Sequence, residues 1–259
     1  VAAAKPFIVA LSAAAVIAGC GGKPAPIARG PEAAVQDAGY LAPPAVDGVR
    51  FGAGSIVLSG AAPAGAKVRL ASPAGQAMVA AADAQGRWTI ALPTAPEARI
   101  FGLSMTLGAR QAQAEGYLLL TPAGDAALLR AGSSALRIKP PARSGLRSLD
   151  FDRGGGLEVS AAAPPGATVI VELDGRQVSE GRADASGRYD ASLGSPTPVR
   201  AGAHVVHVFG DGFSDQVAAQ VTPASPLATG PLRSQLTPAG LRVDWMTPGG
   251  GVQSTLLVH

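Results

Sequence analysis

Ala62-Pro63-Ala64-Gly65-Ala66-Lys67-Val68 and Ala163-Pro164-Pro165-Gly166-Ala167-Thr168-Val169 are two versions of one stretch, set 101 residues apart. The same offset relates Asp83-Ala84-Gln85-Gly86-Arg87-Trp88 to Asp184-Ala185-Ser186-Gly187-Arg188-Tyr189. It also relates Thr121-Pro122 to Thr222-Pro223, and Ser59 to Ser160. Chance does not hold one register over such a span, so the chain contains an internal repeat. The copies are expected near residues 49–122 and 150–223.

Within each copy the pattern is strand. Trp88-Thr89-Ile90-Ala91-Leu92 alternates large apolar with smaller or polar residues, and Tyr189-Asp190-Ala191-Ser192-Leu193 does likewise. A half-buried strand has this period of two. Val68 and Leu70 share one face, as do Val169 and Val171. Asp83 to Gly86 and Asp184 to Gly187 place Asp first and Gly fourth, the signature of a type I turn. In each, the glycine is expected to take a positive φ. Asp174-Gly175 marks a second tight hairpin. Short strands between frequent turns predict an all-β fold of two tandem β-sandwich modules. Roughly 70 residues is near the lower limit for a self-sufficient core, so the modules are expected to lean on each other or on flanking strands.

The remaining body divides around these copies. Residues 123–149 are long for a loop and hold Leu128, Leu129, Leu136 and Ile138, which predicts extra strands. Residues 224–259 form a C-terminal extension, expected to close in a hairpin of Leu241 to Met246 with Val252 to Val258.

The Pro-Gly-Ala-Thr-Val stretch followed by Asp-x-x-Gly-Arg-aromatic resembles the small immunoglobulin-like modules of bacterial envelope proteins. That resemblance implies a sandwich fold and carries over no catalytic residue, since sandwiches host many activities.

The amino terminus reads differently. Lys5 supplies a positive start, and Phe7 to Ala18 is apolar except for Ser12. Small residues Ala18 and Gly19 then lead into Cys20, completing the order of a secretory signal peptide over residues 1–19. Twelve residues at about 1.5 Å each are too short to span roughly 30 Å of hydrocarbon. Ile17-Ala18-Gly19-Cys20 resembles the lipobox of bacterial lipoproteins, with Ile17 where Leu is common. The resemblance implies cleavage before Cys20 and acylation of Cys20, which would tether the chain to a lipid bilayer. More than one acyl chain is what makes such an anchor stable. Gly21, rather than Asp, follows the cysteine, which by the same resemblance implies the outer membrane rather than retention at the inner one. Residues 20–48 carry Pro24, Pro26, Pro31, Pro43 and Pro44 and are expected to form a flexible tether.

Composition narrows the function. Charged residues make up 15% and the net charge is +3, with basic residues scattered singly. This is no footprint for nucleic acid. A single cysteine excludes an intrachain disulfide. His204 and His207 lie three apart in an expected strand and point to opposite faces, poor geometry for a metal. Asp211 and Asp215 could offer oxygen ligands to calcium, but a polar turn explains them as well. Ser133 and Ser134 lack a nucleophile-elbow pattern. Gly154-Gly155-Gly156 lacks the Lys-Ser/Thr ending of a phosphate loop. Trp88, Phe151, Tyr189 and Trp245 could form a ligand platform, but such residues more often fill a small core. The expectation is a non-catalytic envelope lipoprotein without cofactor or metal, serving as a spacer or as a module that binds an envelope protein or polysaccharide. An accessory subunit of a larger envelope assembly is the alternative. A hydrolase is the remote one, for want of a nucleophile or acid–base set.

Overall fold

The computed structural model describes residues 40–259 apart from 139, 141, 195 and 196. Cys20, the signal peptide and the tether up to residue 39 lie outside the described residues. The described chain is all-β.

The first copy contributes β1 (Ala45–Gly52), β2 (Ser55–Ala61), β3 (Lys67–Ala71), β4 (Ala77–Ala81), β5 (Arg87–Pro93), β6 (Arg99–Leu107) and β7 (Arg110–Leu120). The connecting stretch adds β8 (Ala126–Leu129) and β9 (Leu136–Arg137). The second copy contributes β10 (Gly145–Phe151), β11 (Leu157–Ala162), β12 (Thr168–Leu173), β13 (Arg176–Arg182), β14 (Arg188–Leu193), β15 (Gly202–Gly210) and β16 (Phe213–Val221). The tail is a meander of β17 (Leu232–Thr237), β18 (Gly240–Met246) and β19 (Val252–Val258).

Strand order repeats with the sequence. The order β1-β2-β5 recurs as β14-β11-β10, read from the other end, and β4-β3-β6-β7 recurs as β13-β12-β15-β16. Register repeats too: Gly60 faces Trp88, and Ala161 faces Tyr189. Two features depart from a uniform offset. Val68 faces Met105, two residues before the end of β6, whereas Val169 faces Gly210, the last residue of β15, so the two pairings differ in register by two residues. In addition, β1 and β10 begin at Ala45 and Gly145, inside stretches expected to be tether and linker. Leu41 and Val46 pack against the first core, and every residue of β10 is buried, which draws both stretches into the sheets.

Each copy is extended at a different place. In the first, β8 and β9 add to β7 and make a six-stranded sheet, β4-β3-β6-β7-β8-β9. In the second, the tail adds to β10 and makes β14-β11-β10-β19-β18-β17. These two enlarged sheets pack face to face, giving a stack of four sheets with three cores. The outer cores are ordinary sandwich interiors. One holds Leu58, Val68, Leu70, Trp88 and Ile90. The other holds Leu149, Val159, Val171, Tyr189 and Val208. The middle core sets Ile100, Leu119 and Leu129 against Val243, Trp245 and Leu257.

The middle core explains strands that do not alternate. Leu118 and Leu120 enter one core while Leu119 enters another. Leu256 and Val258 face the second module's interior while Leu257 faces the seam. A strand buried on both faces reads as a continuous apolar run.

Candidate functional site

Two places could carry function: the polar seam around the middle core, and a groove that the tail lines together with the first copy.

The seam is built by β10, β19 and the loop between β8 and β9. Asp150, 1% exposed, points from β10 into it. Its carboxylate accepts from the Ala135 amide at 2.8 Å, the Ser148 hydroxyl at 2.9 Å and the Thr255 hydroxyl. Thr255 in turn accepts from the Trp245 indole at 3.1 Å. Gln253 holds the same loop by accepting from Gly132 N at 2.9 Å and donating to Arg130 O at 3.2 Å. Burial pushes the Asp150 pKa up to about 6, against the pull of hydrogen bonds from Thr255, Ala135, Ser148 and Gln253. A buried carboxylate so surrounded ties the connecting loop to the tail; it has no opening through which to meet a substrate. Asp150 was not among the residues singled out from sequence, because apart from Ser148 its partners Ala135 and Thr255 lie 15 and 105 positions away.

Between the β3–β4 turn, the start of β6 and the tail at β17 lies a groove of about 740 Å³ lined by Gln76, Glu97, Arg99, Phe101, Pro231 and Arg233. It leads to a second hollow of about 420 Å³ against Tyr117, Met246 and Pro248. The Arg99 guanidinium lies 5.3 Å from the Phe101 ring centre and donates to Pro93 O at 2.6 Å. Arg233 is paired with Asp244 at 2.5 Å. The walls are mixed polar and apolar.

The residues weighed from sequence are dispersed. His204 Nδ1 is 2.7 Å from Asp174 Oδ2 and its Nε2 is 2.8 Å from Arg200 O. Burial lowers the His204 pKa, but the hydrogen bonds to Asp174 and Arg200 and the Asp174 charge outweigh it, leaving the ring above its ordinary value. His207 bonds instead to Glu172 and Ser214 and stacks on Phe209. Asp211 accepts from Thr168 N, while Asp215 accepts from Leu146 N at 3.0 Å and pairs with Arg143 at 2.8 Å. The two carboxylates thus serve separate backbone contacts. Among the described residues, no group of three His, Cys, Asp or Glu is placed to hold a metal ion.

Ser134 Oγ donates to Asp190 Oδ1 at 3.2 Å, and Arg130 holds the Ser134 carbonyl. Asp152 Oδ1 accepts from Gly154 N and Gly156 N, so the triple-glycine stretch is a capped turn. The four aromatics are buried in three different cores, each polar handle satisfied: Trp88 Nε1 on Ala61 O, the Tyr189 hydroxyl with Ser179, and Trp245 Nε1 on Thr255.

Among the described residues no helix is long and apolar enough to cross a membrane. No family model matches the chain, and no curated protein matches it. Solved structures similar to it include "Biofilm associated protein - BSP domain", 15% identical over 70% of this chain, with a TM-score of 0.24. The chain spans 30% of the length of that structure. A second is "Ca2+-stabilized adhesin helps an Antarctic bacterium reach out and bind ice", 12% identical, covering 79% of this chain and 86% of that one, with a TM-score of 0.20. At these TM-scores both are distant likenesses between β-rich chains.

Proposed function

We propose that this protein is a non-catalytic lipoprotein of the bacterial cell envelope, whose folded body serves as a stiff spacer or binding module tethered through lipid on Cys20. The middle core is the observation that carries the reading of the body. Two sandwich copies joined only by a linker would swing freely, but Trp245, Val243 and Leu257 pack them against Ile100, Leu119 and Leu129. A body held in this way keeps a fixed distance between its ends and presents the groove beside β17 at a fixed angle. The immunoglobulin-like character of the copies belongs to the same reading, supported by their repeated strand order.

Metabolic labelling with a fatty-acid analogue tests the anchor. Cys20→Ser should lose the label and leave the envelope fraction, whereas undiminished label in the variant would sink the reading. Service as an accessory subunit of a larger envelope assembly is a second reading. It is favoured by β17, an edge strand whose Leu236 is 71% exposed. Unpaired edges invite strands from other chains. Pull-down from crosslinked envelopes separates the two: a stoichiometric protein complex supports the subunit, and recovery with polysaccharide supports the glycan-binding module.

A further inference from the structure

The outer backbone groups of an edge strand are unpaired within its sheet and can take up a strand from another chain. Among the described residues the edges are β1 and β5, β4 and β9, β13 and β16, and β14 and β17. All but β4 carry a charged side chain, from Asp47 in β1 to Arg233 in β17. β4 is Ala77-Met78-Val79-Ala80-Ala81, with neither charge nor proline.

The repeat supplies its own comparison. At the common offset, β4 corresponds to Val178-Ser179-Glu180-Gly181-Arg182 of β13. Glu180 stands where β4 has Val79, and Arg182 where it has Ala81. A bulge at Val178 also breaks the pairing of β12 with β13, whereas β3 and β4 pair without a break. Charges and bulges both keep an edge from pairing with other chains. The second copy has the two devices and the first has neither, although Val79 is 62% exposed.

The phase of the ladder shows which groups β4 offers. Ser72 N donates to Gln76 O and Ala82 N donates to Ala66 O, both at 2.8 Å. Bonded and unbonded pairs alternate along an antiparallel ladder, so between these two bonds Met78 and Ala80 turn their amides and carbonyls toward β3. Ala77, Val79 and Ala81 therefore turn theirs outward. Their side chains are exposed, while Met78 and Ala80 rest against the first core.

We propose that β4 is a pairing edge for a second copy of this chain: two β4 strands meet antiparallel about a two-fold axis at Val79 and join two six-stranded sheets into one. The strand is its own complement. About that axis Val79 faces Val79, Ala77 faces Ala81 and Met78 faces Ala80, so no charge meets its like. Each outward residue bonds its opposite through both amide and carbonyl. The same operation on β13 would set Glu180 against Glu180, and like charges directly opposite destabilise a sheet. An isologous contact of this kind closes at two copies. The pairing goes beyond the spacer reading, which stands whether or not β4 pairs.

The test uses the full chain carrying Cys20→Ser, so that neither a lipid nor a thiol can join two copies. Sedimentation velocity over a concentration series should show a reversible monomer–dimer equilibrium in the micromolar range, as befits a small interface. Val79→Glu, which installs the second copy's residue, and Val79→Lys should each weaken the dimer about tenfold or more, because either charge faces its own copy. Arg69 lies opposite Val79 on β3 and offsets part of the glutamate's charge, so the lysine variant should be the weaker dimer. An equimolar mixture of the two variants should regain association, since glutamate then faces lysine. Val79 is exposed, so both variants should fold, with circular dichroism as the check. A chain that stays monomeric throughout, even if its edge captures a strand of another protein, overturns the proposal. So does a dimer that either variant retains in full, or a mixture that regains nothing.

Discussion

Gly86 and Gly187 show how single residues fix the repeat. Their φ angles are +75° and +79°. A Cβ on either would stand 2.6 Å from a carbonyl oxygen, that of Ala62 or Ala163. Those alanines are also the donors that hold the turns, through Ala62 N to Gly86 O and Ala163 N to Gly187 O, both at 2.9 Å. The aspartate that opens each turn accepts two amides: Gln85 N and Arg87 N on Asp83, Ser186 N and Arg188 N on Asp184. Gly187→Val therefore meets both backbone strain and a collision with backbone that cannot step aside. A loss of about 2–4 kcal/mol is expected, measured by urea or thermal unfolding. Ser186→Ala at the neighbouring exposed position should change stability by no more than about 0.5 kcal/mol. Equal effects from the two variants would show that the glycine closes nothing.

At the scale of the element, β10 decides how the seam responds to acid. Its Asp150 carboxyl has a pKa of about 6 in the folded protein against an ordinary value of 3.8. The folded state thus binds this proton more tightly than the unfolded chain, and stability should rise as pH falls from about 7 through 6 toward 4. The full effect is on the order of 3 kcal/mol. His204, raised by Asp174, adds stability below its unfolded value that is lost as pH rises through its folded one. Asp174 and Asp244 are lowered, so their contributions disappear only in stronger acid. Asp150→Asn isolates the seam: the gain in thermal midpoint between pH 7 and pH 5 should shrink in the variant. An undiminished gain would place the titration elsewhere. The same strand shows why part of the architecture was illegible. In β3, β5, β12 and β14 one face is buried, so alternation announced them. Gly145-Leu146-Arg147-Ser148-Leu149-Asp150-Phe151 mixes charges with apolar residues and reads partly as linker, yet all of it is buried, because the seam supplies partners from distant strands. β17 gave no signal for the opposite reason, being largely exposed. The exchange of Asp47 for Arg147, at the bulge that β1 and β10 share, was hidden for a third reason: the turn after β10 is one residue longer than the turn after β1, which takes the first strands off the common offset of the repeat.

On the scale of the whole molecule, the question is whether four sheets unfold as one body. The tail reaches back from residue 232 to complete the sheet of the second copy and to present Trp245 to the first. Trp245 is fully buried, meets Tyr117 edge-on with ring centres 6.0 Å apart, and donates to Thr255, which donates to Asp150. One side chain thus joins the apolar seam to its polar rim. Trp245→Ala should cost about 3–5 kcal/mol, the usual range for emptying a packed aromatic site. Trp88→Ala removes a comparable volume from the first module's own interior and should cost a similar amount. The two losses differ in kind. Each outer core stays intact in Trp245→Ala, so calorimetry should resolve two transitions where the parent protein shows one. Trp88→Ala weakens one sandwich while the seam still couples it to the other, so its lower transition should carry most of the unfolding enthalpy at once. A single sharp transition in Trp245→Ala, with only a modest fall in midpoint, would mean that contacts other than the middle core hold the modules together, and the stiff-spacer reading would lose its physical basis.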